Sequence, residues 1–305
     1  MSLVVNTNVA SMNAQRSLMA SSKELQSAME RLSTGKKINS AADDAAGFAI
    51  AESMTAQVRG LSMSAKNAND ALGLLKVVEN ATNDVTDMLQ RIRELAVQAQ
   101  SGTNSEGDIA NLQLEANALI DEIIRVSEDT SYNGTFYLNS DQTVNIQVGY
   151  NDGDVISVNT FDIHARNLGV FIEDTATEGD DILIKLKDGD NYLQIDQTAV
   201  AAVAAEGEVD AANRVPGALE VISAAIDQVA SYKAEWGAGQ NRLQYTVANL
   251  MNVVEFTTAA RSRIQDADFA VEAARLAKAQ VLQQTGTAML AQANAAPQLA
   301  LQLLK

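Results

Sequence analysis

Along residues 219–264 one helical phase repeats without a slip. Leu219, Ile222, Ile226, Val229, Trp236, Leu243, Val247, Leu250, Val254 and Ile264 follow alternating steps of three and four, with Lys233, Gln240, Thr257 and Arg261 in the same phase. This period, close to 3.5, belongs to a helix that packs lengthwise on another helix. A second seam runs through Met54, Val58, Leu61, Ala65, Ala68, Leu72, Leu75, Val78, Val85, Leu89, Ile92 and Ala96. It has one 3-3 step at Leu72–Val78, and Thr82 fills the position before Val85. At 1.5 Å per residue it is roughly 65 Å long. Proline occurs only at 216 and 297, so neither seam is interrupted. The polar Lys233, Gln240 and Arg261 are read as register-setting residues that cost some stability. No aromatic residue lies between Phe48 and Tyr132, so the helices must fit closely.

Gly102 and Thr103-Asn104-Ser105 end the earlier helix, and Ser105 with Asp108 forms a capping box for a third. Its apolar positions are Ile109, Leu112, Ala116, Leu119, Ile123 and Val126, and Ser131-Tyr132-Asn133-Gly134 signals its end. The period then changes to two. Val144, Ile146 and Val148 alternate with polar residues, turn at Asn151-Asp152-Gly153-Asp154, and return through Val155-Ile156-Ser157-Val158. Ile182, Ile184 and Leu186, then Asp188-Gly189, then Tyr192-Leu193-Gln194-Ile195 read as a second hairpin, and residues 199–217 as an Ala/Glu-rich connector. Pro216 suits the first turn of the next helix.

The chain ends differ from the rest. Leu18, Ser22, Leu25, Met29 and Leu32 make a short heptad run, whereas the C-terminal tract is rich in Ala, Gln and Leu with weak facing. Residues 1–15 and 279–304 carry no charged side chain. Isolated helices of this kind are marginal in water, so the ends need each other or other copies. Neither end reads as a signal peptide or as a membrane-spanning helix.

With 22 Lys+Arg against 39 Asp+Glu, the net charge of −17 argues against a nucleic-acid partner or an anionic membrane. Residues 128–220 carry a net of −14, which marks a solvated middle between nearly neutral flanks. There is no Cys and a single His, His164, which removes thiolate chemistry, Cys-ligated zinc and paired-His metal sites. No cofactor or metal is expected. His164 has no nucleophile in motif context and reads as structural. The Asn151–Asp154 run resembles the start of a calcium loop, but Asp162 stands where a bidentate Glu belongs, so a turn is the better reading. Asn133-Gly134-Thr135 is a formal glycosylation sequon and also a turn signal, and Asp43-Asp44 reads as an N-terminal helix partner. What remains is a subunit that packs lengthwise against copies of itself.

Leu32-Ser-Thr-Gly-Lys-Lys-Ile-Asn39 followed by Ser-Ala-Ala-Asp-Asp-Ala-Ala-Gly47 resembles the signature of bacterial flagellin, as does Val4-Val-Asn-Thr-Asn-Val-Ala-Ser-Met-Asn13. Gln90-Arg-Ile-Arg-Glu-Leu-Ala-Val-Gln98, Ile146-Gln-Val-Gly149, Gly237-Ala-Gly-Gln-Asn-Arg242, Ala260-Arg-Ser-Arg-Ile264 and Leu290-Ala-Gln-Ala-Asn294 match in the family's order. The resemblance covers about 1–165 and 215–305. It implies a mainly α fold of long antiparallel heptad helices with a small β-hairpin region. The inner terminal-helix domain, 1–44 and 265–305, would be disordered in the monomer and pair as a coaxial coiled coil in the filament. Residues 45–168 and 215–264 would form the helical bundle, and 169–214 a variable acidic insert. The implied function is a non-enzymatic subunit of the flagellar filament. The alternatives are a hook–filament junction protein, which the Gln-Ala-Asn tail disfavours, and a cytoplasmic signalling hairpin, which leaves the acidic β-rich middle unexplained.

The same resemblance implies secretion through the flagellar type III export apparatus, an export chaperone for the C-terminal tail, and hook-associated and cap proteins at the filament ends. Leu18, Leu25, Leu32, Leu290, Leu301, Leu303 and Leu304 would serve polymerisation. Flagellins that activate Toll-like receptor 5 use an Arg, a Leu and a Glu matched here by Arg91, Leu95 and Glu115. Leu301-Gln-Leu-Leu304 resembles the leucines read by cytosolic flagellin sensors.

Overall fold

The structure, a computed structural model, describes residues 8–172, 182–196, 200–203, 209–215 and 217–303. In chain order the elements are α1 (Val9–Thr34), α2 (Ala45–Ala99), α3 (Glu106–Asp129), β1 (Ser131–Tyr132), β2 (Thr135–Phe136), β3 (Gln142–Gln147), β4 (Val155–Thr160), β5 (Gly169–Ile172), β6 (Ile182–Lys185), β7 (Lys187–Asp188), β8 (Asn191–Tyr192), β9 (Val200–Val203), β10 (Val209–Val215), α4 (Ala218–Gln265) and α5 (Phe269–Leu303). Among the described residues the strands form antiparallel pairs only: β1–β2, β3–β4, β5–β6, β7–β8 and β9–β10. The long heptad helices and small hairpins agree with the expected fold class. The chain divides into two compact units, residues 1–60 with 252–305, and residues 61–251.

In the unit 61–251, the core follows the seams. On α4 every seventh residue is buried: Ile222, Val229, Trp236, Leu243 and Leu250. The first four form one cluster with Leu75, Val78, Val85, Leu89 and Ile92 of α2. Two of the polar seam residues reach across to α2: Lys233 Nζ donates to Asn83 Oδ1 at 2.6 Å, and Gln240 Nε2 to Glu79 Oε2 at 2.9 Å. Thr82 is buried, with its hydroxyl donating to its own helix at Val78 O (2.6 Å). On α3 the capping box forms as read, with Ser105 Oγ accepting from Asp108 N. Its innermost positions, however, are Ala116, Ile120, Ile123 and Ser127, so Ile120 takes the place expected of Leu119, which is only half-buried.

The β3–β4 hairpin forms as read, and its register sets Val144 opposite Val158 and Ile146 opposite Ile156. Both of its sides are tied to helices. Ser64 Oγ donates to Gly149 O (2.9 Å) and Asn67 Nδ2 to Gln147 O (3.3 Å) from α2, while Trp236 Nε1 donates to Asn159 O (2.8 Å) from α4. Beside this bond Phe161 stacks on Tyr232 at 4.1 Å.

The later β region differs from the sequence reading. Residues 182–185 pair backward with β5 rather than forward with 192–195, and the second hairpin is the short β7–β8. Its buried Leu186, Leu193 and Ile195 join the core, so this part of the 169–214 insert is packed. The segment read as a connector contains β9 and β10, and Pro216 lies outside the described residues. Alternation gives a strand's inner face but not its partner, which is why the pairing was misread. The β7–β8 hairpin docks on α3. Gln113 donates to Leu193 O (3.0 Å) and accepts from Ile195 N (2.9 Å), and Asp121 accepts from Lys187 Nζ and Tyr192 OH, both at 2.8 Å.

Candidate assembly and recognition surfaces

In the unit of residues 1–60 and 252–305, two connectors are zipped together. Lys37 N donates to Gln265 O (2.7 Å) and Ala267 N to Gly35 O (2.9 Å), flanking a Lys36–Asp266 bridge. The signature Ile38–Gly47 then starts α2. Asp43 Oδ2 accepts from the amides of Asn39 and Ser40 at 3.1 and 3.0 Å, which holds its carboxyl below the usual range, the Ser40 amide contributing most. Asp44 Oδ1 caps the helix by accepting from Gly47 N at 3.0 Å. A Cβ on residue 47 would stand 2.8 Å from Ile38 Cδ1 and still closer to the Asp44 carboxylate, so any larger residue forces these two side chains to shift. From α4, Arg261 Nη1 donates to Thr55 Oγ1 at 3.2 Å, the third polar seam residue to find a partner on α2.

Helices α1 and α5 pair lengthwise. The inner positions of α5 are Glu272, Leu276, Ala279, Gln283, Gly286, Leu290 and Ala293. Their 4-3 spacing is as regular as that of α4. The sequence reading found weak facing here because these positions hold small and polar residues instead of a visible apolar stripe. On α1 the inner positions include Ser11, Leu18, Leu25, Ala28 and Leu32. Ala28 is buried and Met29 is exposed, the reverse of the expected seam. A Cβ on Gly286 would meet Leu18 Cδ1 at 3.3 Å, so the helices approach closely there. Polar contacts pin both ends of the pair: Arg31 Nη1 to Glu272 Oε1 at 3.3 Å at one, Asn8 Nδ2 to Ala293 O (2.8 Å) and Ser11 Oγ to Asn294 Oδ1 (2.7 Å) at the other.

Of the residues expected to serve polymerisation, Leu18, Leu25, Leu32 and Leu290 are half-buried in this pair. Leu301 and Leu303 lie on α5 with side chains outside the described set, and Leu304 lies outside the described residues. Among the described residues, the large apolar side chains left exposed are others, Val9, Met12, Met19 and Met29 on α1 and Phe269, Val271, Val281, Leu282 and Met289 on α5. Sequence reasoning missed them because, Met29 apart, it placed them on no seam and sought the assembly contacts among the leucines. The charge is placed elsewhere: this unit carries 11 basic and 9 acidic residues, against 11 and 30 in residues 61–251. Like-charge repulsion therefore opposes close packing of copies least at these helices.

The recognition triplet is divided. Arg91 and Glu115 are exposed and joined, Nη2 to Oε1 at 2.8 Å and Nε to the same oxygen at 2.9 Å, and Glu94 takes Nη1 at 3.0 Å. Leu95, four residues from Arg91, is 0 % exposed inside the core, so it does not stand on the exposed surface with Arg91 and Glu115. His164 is a loop staple. Its Nδ1 accepts from Arg166 N (3.2 Å) and its backbone N–H donates to Asp162 Oδ1 (2.8 Å).

The description "Bacterial flagellin N-terminal helical region" matches residues 5–143, and "Bacterial flagellin C-terminal helical region" matches residues 219–304. The chain is similar to a flagellin of Xenorhabdus nematophila, 42% identical over 317 aligned positions. It is also similar to flagellin D of Vibrio anguillarum, 34% identical over 376, both chains being covered in full in each case. A crystal structure of Bacillus cereus flagellin aligns with 61% of this chain and 88% of that one, at 26% identity and a TM-score of 0.43.

Proposed function

The chain belongs to the bacterial flagellin family and is a structural, non-catalytic subunit of the flagellar filament; on that premise we propose that the α1–α5 pair is its assembly device. The terminal segments 1–44 and 265–305 order only when copies associate, while 45–168 with 215–264 folds by itself and carries the acidic insert 169–214. The observation that carries this reading is the exposure, among the described residues, of nine large apolar side chains on two helices with almost no net charge. Alone, the pair buries too little to offset about 1–2 kcal/mol of backbone entropy per residue. With apolar faces of neighbouring copies added, ordering and assembly become one event. Leu18, Leu25, Leu32 and Leu290 then hold α1 to α5 within a copy, and Met12, Met19, Met29, Leu282 and Met289 meet the next copy. Leu301, Leu303 and Leu304 extend the same device. The test is a fragment of residues 45–264 offered to filament seeds. It is expected to be folded, monomeric and unable to extend them, and growth would remove the ends from the mechanism.

Secretion through the flagellar export apparatus, with an export chaperone holding the uncharged C-terminal stretch 279–304, fits a segment that stays unpaired until assembly. Hook-associated and cap proteins then meet the same ends of the subunit. For a Toll-like receptor 5 of a host, the contacts are the exposed Arg91 and Glu115, with Leu95 supporting Arg91 from below. Support comes from the shared exposure of the ion pair and its position within the matched motif.

A further inference from the structure

We propose that Met12, Met19, Met29 and Met289 make the α1–α5 surface an oxidation site, at which peroxide converts thioethers to sulfoxides in the unassembled chain and blocks packing of copies. The inference rests on the reading above, in which this surface meets the next copy. Their exposures are 52, 67, 49 and 61 %. Met12 and Met19 stand seven residues apart, so they form one column along α1. Met289 follows Leu282 by the same interval on α5. The chain has no Cys, so the thioether is the only sulfur a peroxide can meet.

The chemistry is a two-electron oxygen transfer. The sulfur lone pair attacks the distal peroxide oxygen, the O–O bond breaks, water leaves, and the thioether becomes a sulfoxide with no change of charge. An unbranched, adaptable apolar side chain suited to filling gaps between surfaces thereby gains a strong acceptor. Buried against a neighbour's apolar face, that oxygen lacks a donor and is costly. The cost repeats at four positions in every copy. Packing of copies covers the same sulfurs, so assembled subunits are protected and free ones are not. Met63 and Met251, exposed in the other unit, undergo the same chemistry and serve as an internal control.

The test uses full-length protein, hydrogen peroxide, peptide mass spectrometry to count oxygens at each Met, and elongation of filament seeds. Untreated protein elongates. Protein oxidised at the four positions is expected to elongate about tenfold more slowly, because polar oxygens have entered a Met-rich interface. Treatment with the two stereospecific methionine sulfoxide reductases restores the rate. A chain carrying Met12→Leu, Met19→Leu, Met29→Leu and Met289→Leu keeps its rate after peroxide, although Met63 and Met251 are oxidised. Unchanged elongation by protein oxidised at all four sites overturns the proposal, as does an equal loss in the leucine variant. Should that variant not elongate even untreated, the repair series decides: recovery must follow reduction at the four sites, and recovery that follows Met63 or Met251 overturns it. Failure of untreated protein to extend seeds overturns the assembly reading itself, which separates the two.

Discussion

Arg31 on α1 and Glu272 on α5 meet across a helix pair whose other α5 seam positions are uncharged, Nη1 to Oε1 at 3.3 Å, with Glu272 only 4 % exposed. Arg275 reaches the same oxygen at 3.0 Å. A buried carboxylate between two guanidiniums contributes little net stability over an apolar pair, but it fixes which residues stand opposite each other.

Replacing Glu272 with Ala leaves the Arg31 guanidinium, whose Nε already has no partner, without its countercharge. The loss is expected to be about 3 kcal/mol for the α1–α5 pair. It is read as a lower dissociation temperature of filaments with unchanged melting of the unit 61–251. Exchanging the charges, Arg31→Glu with Glu272→Arg, recovers part of it. Wild-type filament stability in Glu272→Ala would remove the pair from register control.

Gly47→Ala forces a Cβ into the Asp44 carboxylate and Ile38, so the α2 cap must open. The expected cost is about 1–2 kcal/mol, the range for losing a helix cap. Asp44→Ala should cost about the same, and the two should not add, since both remove one cap. Thermal melts of the single and double variants check this.

Trp236 is the chain's single Trp, fully buried and bonded to Asn159 O at 2.8 Å. Its fluorescence therefore reports the β3–β4 hairpin on its helices. Trp236→Phe should cost about 2–4 kcal/mol, combining a cavity with a carbonyl left without its donor. Denaturant unfolding followed by circular dichroism measures it. A cost below about 1 kcal/mol would mean that the bond contributes nothing beyond its solvent exchange.

The β7–β8 hairpin should loosen at both pH extremes. Its Lys187 holds the Asp121 carboxyl below the ordinary value near 3.8, and Asp121 in turn holds Lys187 above its ordinary 10.5. A depressed carboxyl contributes stability above its unfolded pKa and loses it as pH falls through the folded one. A raised ammonium contributes below its unfolded pKa and loses it as pH rises through the folded one. Docking should therefore hold across neutral pH and weaken below the carboxylate range and above the lysine range. Amide exchange at Leu193 and Ile195 reads it directly, and Asp121→Asn should abolish the acid limb.

Leu95→Ala should destabilise the unit 61–251 by about 2–5 kcal/mol, as truncation of a fully buried leucine does. Arg91→Ala and Glu115→Ala should each leave the melting temperature nearly unchanged, since their pair is exposed. Receptor signalling by monomer should fall in Arg91→Ala and Glu115→Ala without a change in melting. In Leu95→Ala the two should fall together. A Leu95→Ala chain that melts normally and loses signalling would return Leu95 to direct contact.

The two long seams, the Ser105–Asp108 capping box and the β3–β4 hairpin were legible because each is written in local spacing. A 3-4 alternation identifies a helix face wherever the chain later goes, and period two identifies a strand face. The Ile38–Gly47 signature was legible as a family motif, but the close approach of Asp44 and Ile38 to Gly47 was not.

The sequence by itself determined which segments are helices, roughly which stripe of each turns inward, and that charge gathers away from the ends. Only the tertiary structure decided between adjacent candidates: Ile120 over Leu119, Ala28 over Met29, β5 over residues 192–195 as the partner of β6. It also placed Leu95 inside, left Met12 and Met19 outside, and gave Glu272 its partner. The reason is geometric. Neighbouring residues on a helix stand about 100° apart, so both edges of a stripe look equally apolar in sequence. Which edge is buried depends on where a second helix crosses, and that is a property of two distant segments together.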